Sequence, residues 1–144
     1  APENTMEAFH LAIRLGATGL ESDVWVTSDN VAVLDHDGKA QVGRLRSRAI
    51  CDVAFEQLPA HIPKLIDVLE LLVTHPNLQL SLDIKDDNAF SQTFHTIEDA
   101  SPNLASRIWL CHPNQYLSII PYEFEKKCQC LDQYIKSKYL KYKI

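Results

Sequence analysis

Six residues of the chain have types and spacings that could do chemistry. Glu21 and Asp23 lie two apart, and on a strand that spacing projects both carboxylates from one face. Two carboxylates held side by side repel unless a cation or a proton lies between them. An oxygen-liganded divalent ion, Mg²⁺ or Ca²⁺, is the natural occupant, because the residues offer carboxylates and no thiolates. Asp83 and Lys85 repeat the i, i+2 arrangement and add a third carboxylate and a cation. His36, between Asp35 and Asp37, supplies a group able to carry a proton near neutral pH. His112 follows Cys111 at the end of a strand-like run and is read either as a lining residue of the same pocket or as a structural histidine. Taken singly, each cluster also fits a solvated strand end or loop.

The elements around these clusters explain why they should meet. Asn4 is read as the N-cap of a first helix, with Glu7 completing a capping box. Met6, Phe9 and Ile13 give that helix its apolar spacing, and Gly16 closes it. Residues 19–26 alternate as a strand, residues 27–30 form a turn cluster, and 31–34 are a short apolar strand leading into Asp35-His36-Asp37. Residues 39–60 show little periodicity and read as a long loop with one short helical turn. Leu65, Val68, Leu69, Leu72 and Val73 form the apolar stripe of a second helix, opened by Pro63 and stopped at His75-Pro76. Residues 78–84 are a buried-type strand, Phe90, Phe94 and Ile97 mark a third helix, and 108–111 is a fourth strand. Short apolar strands alternating with helices predict an α/β protein with a mostly parallel sheet. In such folds active sites gather at the C-terminal ends of strands, and all three clusters fall there.

Composition narrows the function classes. The 144 residues are 46% hydrophobic and 23% charged, the balance of an ordinary globular domain. No apolar run approaches the ~18 residues of a membrane span, and the first residues show no basic and apolar signal-peptide pattern. Four cysteines are too few for a disulfide scaffold and point to a reduced, cytoplasmic setting. Cys128 and Cys130 lack the partner pair that a zinc site needs and read as surface thiols. The net charge of −5 combines an acidic body, residues 1–122 with 8 basic and 16 acidic side chains, with a Lys/Tyr-rich tail, 123–144, with six Lys against three acids. An acidic body argues against nucleic acid as partner and suits a cation. His10, His61, His75 and His95 read as inert, Trp25 and Trp109 as packing residues, and the tail as a solvated terminus with some helical pattern.

At this point the motifs resemble a known family. Pro2-Glu3-Asn4-Thr5, Ala8-Phe9, Gly16-Ala17, Gly19-Leu20-Glu21-Ser22-Asp23-Val24, Thr27 and Val33-Leu34-Asp35-His36-Asp37 are similar to the N-terminal half of glycerophosphodiester phosphodiesterases, bacterial members above all. Leu82-Asp83-Ile84-Lys85 resembles the family's next motif, with Asp where Glu is commoner. The resemblance runs over roughly residues 1–113 and implies a (β/α)₈ TIM barrel, of which about four strands are present. A complete barrel takes ~250 residues.

Carried over residue by residue, Glu21, Asp23 and Asp83 would be ligands of Mg²⁺ or Ca²⁺. His36 would be a catalytic acid or base, and Lys85 would contact the substrate phosphate. The implied reaction is metal-dependent hydrolysis of a glycerophosphodiester, a small molecule, to glycerol 3-phosphate and an alcohol. The family's other catalytic histidine belongs to a His-Arg-Gly motif just ahead of Pro-Glu-Asn-Thr, and residues 1–144 do not contain it. The alternative is a degenerate, non-catalytic relative that at most binds metal or a phosphate ester. With about four strands, the sheet is also expected to have open edges that favour self-association.

Overall fold

The computed structural model describes residues 1–43, 46–101 and 103–111. His112, the Cys128 and Cys130 pair and the whole 123–144 segment lie outside these residues. The chain starts with helix α1 (Met6–Arg14), then strands β1 (Gly19–Val26) and β2 (Ala32–Leu34), a hairpin β3 (Lys39–Val42) and β4 (Arg46–Ala49), and helix α2 (Leu65–Thr74). Strand β5 (Gln79–Ile84), helix α3 (Asp87–Ala100) and strand β6 (Ile108–Cys111) follow. The main sheet has the order β2-β1-β5-β6. β5 runs parallel to β1 and to β6, while β2 runs antiparallel to β1.

Period-two patterning assigns the two faces of this sheet. Leu20, Val24 and Val26 of β1, Leu80, Leu82 and Ile84 of β5, and Ile108 and Leu110 of β6 belong to one buried cluster. Phe9 of α1, Leu65, Val68, Leu69 and Leu72 of α2, and Ala89 and Ile97 of α3 complete that cluster, so the helices cover this face. The opposite parity carries Glu21 and Asp23, Ser81 and Asp83, and Cys111. A second, smaller cluster of Val33, Ala40, Ile50 and Ile62 lies under the hairpin, with Trp25 packed against it.

Two local readings need correction. Thr5, not Asn4, caps α1: its hydroxyl oxygen accepts from Ala8 N (3.2 Å) and donates to Pro2 O (2.7 Å). Asn4 has φ +54°, in the left-handed region that Asn tolerates better than most residues, and its side-chain oxygen accepts from the Ser22 hydroxyl instead. Residues 39–60 are not a loop. They contain the β3–β4 hairpin and two short 3₁₀ turns, Ile50–Asp52 and Phe55–Gln57.

The other end of α1 follows the expected glycine signal. Ala17 N donates to Ala12 O and Gly16 N to Ile13 O, with Gly16 at φ +92°. These are the two bonds of a Schellman cap.

Candidate active site

Two segments meet at the C-terminal half of β1 because each is tied to it. Asp35 N, just past β2, donates to Asp23 O (3.2 Å), and Lys85 N, just past β5, donates to Val24 O (3.2 Å). In the parallel register Asp23 pairs with Asp83, and Asp83 with Cys111. The i, i+2 spacing therefore places Glu21, Asp23, Asp83 and Lys85 on one side of the sheet, as their motifs predict.

The electrostatics of this cluster are strongly coupled. The Lys85 ammonium donates to Asp83 Oδ2 at 2.5 Å and lies 3.2 Å from Asp23 Oδ1. The Asp83 hydrogen bond is the main reason its pKa is raised. Asp23 is nearly buried, with its side chain 10% exposed, whereas Asp83 and Lys85 remain partly open to solvent. Burial raises the Glu21 pKa, and the charges of Asp23 and Asp83 push it further the same way.

His36 stands at the rim, on the loop after β2, with its side chain 62% exposed. Its Nδ1 faces Asp37 Oδ1 at 2.9 Å, and this contact is the largest of the causes that raise its pKa. The Asp23 charge acts on His36 in the same direction, and His36 in turn lowers the Glu21 pKa. The histidine is thus within the field of the carboxylates without touching them.

The loop that carries His36 is itself held by residues outside the motif. Trp25 Nε1–H donates to Asp35 O (2.8 Å), and the Asp35 carboxylate accepts from Asp37 N (3.0 Å) and Gly38 N (2.8 Å). Gly38 has φ +66°, and a Cβ there would come within 2.5 Å of the Trp25 ring. Trp25, read from sequence as packing only, thus also orients the histidine loop. The usable signal was its place, two residues beyond Asp23 on the same strand face. Asn4 and Ser22 likewise join α1 to β1, a contact across 18 residues that no local pattern announces.

The donor set fits a hard divalent cation in type, since Glu21, Asp23 and Asp83 offer carboxylate oxygens on one side of the sheet, a side they share with the Cys111 thiol. As the side chains stand, the Lys85 ammonium bridges Asp23 and Asp83. No group of three His, Cys, Asp or Glu residues among the described residues is arranged to hold a metal ion.

Comparison with known proteins agrees with this architecture. The profile of the glycerophosphoryl diester phosphodiesterase family matches residues 1–101. Glycerophosphodiester phosphodiesterase 1 of Rattus norvegicus is 47% identical over 58 residues, 40% of this chain and 18% of that protein. A glycerophosphodiester phosphodiesterase of Bacillus altitudinis is 31% identical over 99 residues, 59% of this chain and 40% of that protein. Among solved structures, the glycerophosphodiester phosphodiesterase of Thermotoga maritima superposes with a TM-score of 0.69 at 24% identity, over 90% of this chain and 55% of that one. The chain therefore spans less than half of these curated relatives and about half of that structure. The shared fold is the TIM barrel, represented here by part of its parallel sheet and the helices that cover it. By the extent of the profile match, the chain belongs to the glycerophosphoryl diester phosphodiesterase family.

Proposed function

We propose that the protein hydrolyses glycerophosphodiesters to glycerol 3-phosphate and an alcohol with the help of Mg²⁺ or Ca²⁺. The observation that carries this reading is the placement of Glu21, Asp23, Asp83 and Lys85 on one side of the adjacent strands β1 and β5, with His36 on the adjoining loop. Glu21, Asp23 and Asp83 would hold the divalent ion, which when bound supplies polarisation of the phosphoryl oxygens and a more acidic attacking oxygen. Lys85 would pair with a substrate phosphate oxygen.

His36 would move the proton. Its Nδ1 faces Asp37, which leaves Nε2 to give or take a proton at the reacting oxygen. The raised pKa keeps a larger fraction of the imidazole protonated near neutral pH, the form needed to protonate a departing alcohol. A cytoplasmic setting and a small-molecule partner, with no nucleic acid, belong to the same reading. Among the described residues Cys51 and Cys111 are free thiols, and no helix is long and apolar enough to cross a membrane.

The test is release of glycerol 3-phosphate from glycerophosphocholine by the protein expressed from its complete reading frame, with and without chelator. His36→Ala is expected to lower kcat/KM by ~10²–10⁴-fold. Glu21→Ala and Asp83→Ala are expected to abolish the requirement for added ion together with the activity. A second reading, a relative that binds ion or phosphate ester without turnover, is favoured by the Lys85 bridge between two would-be ligands. It predicts binding of glycerol 3-phosphate with no release from any diester, and unaltered behaviour of the His36 variant.

A further inference from the structure

The β3–β4 hairpin carries positive charge that the proposed chemistry does not use. Residues 1–122 hold 16 acids against 8 bases, yet Lys39, Arg46 and Arg48 stand on this hairpin with no acid between Asp37 and Asp52. All three are exposed. The strand pairing sorts them by face. Ala40 lies opposite Arg48 and Val42 opposite Arg46, so the two arginines share the face of Ala40, while Lys39 falls on the other. Among the described residues no carboxylate pairs with either guanidinium. Arg48 Nη2 donates to the main-chain oxygen of Asp52 (2.7 Å), which steadies that side chain and leaves its Nη1 and Nε for another acceptor.

The arginine face packs, through Ala40, over the carboxylate side of the main sheet. Ala40 is buried in the small cluster with Val33, Ile50 and Ile62, and Trp25 packs against that cluster. Trp25 is the register partner of Val33 and lies two residues beyond Asp23, on the side of β1 that carries Glu21 and Asp23. The hairpin is also one piece with the His36 loop: Lys39 follows Gly38 directly, and Ile50 N donates to Gly38 O (2.9 Å). The four residues from His36 to Ala40 span at most ~14 Å, and Arg48 stands across from Ala40 at ~5 Å. In the reading above His36 protonates the departing alcohol. The alcohol half of a bound diester then lies on the histidine side, towards this arm.

We propose that Arg46 and Arg48 form a phosphate-binding arm for the alcohol half of the substrate, so that glycerophosphodiesters whose alcohol carries a further phosphate are the preferred class. The proposal rests on the hydrolytic reading given above and names its substrate class. An acidic body repels such a polyanion, and the arm supplies the local attraction that offsets it. A guanidinium fork matches two phosphate oxygens at once, which an ammonium cannot do. Glycerophosphocholine, whose alcohol is cationic, gains nothing from the arm.

Glycerophosphoglycerol with and without a terminal phosphate isolates the group in question. The protein expressed from its complete reading frame is expected to show a KM about tenfold lower for the phosphorylated diester, at similar kcat. Arg46→Gln, which breaks no ion pair among the described residues, should raise that KM about fivefold and leave the unphosphorylated diester within about twofold. Lys39→Gln removes the same charge from the other face and should move neither KM by more than about twofold. The preference should shrink as NaCl is raised. Equal KM values for the two diesters, or equal responses to Arg46→Gln and Lys39→Gln, overturn the arm and leave the hydrolase intact. Calorimetric titration in chelator reads the same preference without turnover. If neither diester is hydrolysed but the phosphorylated one binds more tightly through Arg46, the hydrolytic reading falls and the arm stands as a binding site. Equal affinities in that titration overturn the arm. Arginine-dependent sedimentation with phosphatidylglycerol vesicles, without discrimination between the diesters, also overturns it, in favour of a lipid surface.

Discussion

His36 owes its protonation behaviour to one neighbour. The hydrogen bond it donates to the Asp37 carboxylate is the first cause of its raised pKa, ahead of the charges of Glu3 and Asp37. Asp37→Asn removes the charged acceptor, so the pKa of His36 should fall towards its ordinary value, read from the imidazole resonances in an NMR pH titration. The sign for folding follows from the same shift. A raised folded pKa contributes stability that is present below the unfolded value and is lost as pH rises through the folded value. Asp37→Asn should therefore reduce the dependence of Tm on pH in that interval, and an unchanged His36 titration would refute the assignment. At this scale the sequence was most legible, because Glu21-x-Asp23 and Asp83-x-Lys85 encode a shared face through strand alternation alone. The residues that hold the His36 loop were less legible. Trp25 acts through a bond to Asp35 O ten residues on, and Asn4 through Ser22, and periodicity contains no term for such pairs.

Among the elements, helix α2 depends on a distant residue at its C-terminus. Arg107, in the 3₁₀ turn before β6, donates to Leu72 O (2.7 Å), Leu78 O (2.9 Å) and His75 O (3.0 Å). One guanidinium thus satisfies carbonyls of the α2 end and of the turn into β5, which water would otherwise have to serve. Arg107→Ala should destabilise the fold by about 1.5–3 kcal/mol, measured by urea denaturation, and Arg107→Lys should recover only part because an ammonium cannot span the fork. A loss within a few tenths of a kcal/mol would show the bonds to be solvent-replaceable. The three helices and four main strands could be read from sequence because each buries a regular apolar stripe. The β3–β4 hairpin could not. Of its eight residues only Ala40 is buried, so it leaves almost no period-two signature.

For the whole molecule, the sheet order decides which surfaces need covering. The outer side of β2 is partly occupied: Leu34 N donates to Pro63 O, and Val33 bridges Lys64. Among the described residues no strand pairs with the outer side of β6. Such an edge recruits other strands, so the 144-residue chain should show concentration-dependent association in sedimentation velocity, and a single monomeric species across a wide concentration range would contradict this. Sequence by itself determined the α/β class, the helix-covered face of the sheet, the family, and the facing of the carboxylates, because these depend on residue type and on local periods of 2 and 3.6. Tertiary structure decided what stands between those carboxylates. Asp23 and Asp83 are 60 positions apart in the chain, and only the parallel pairing of β1 with β5 makes them neighbours with Lys85 as their shared counter-ion. Repulsion and its relief depend on distance and burial, and neither is written in the local sequence.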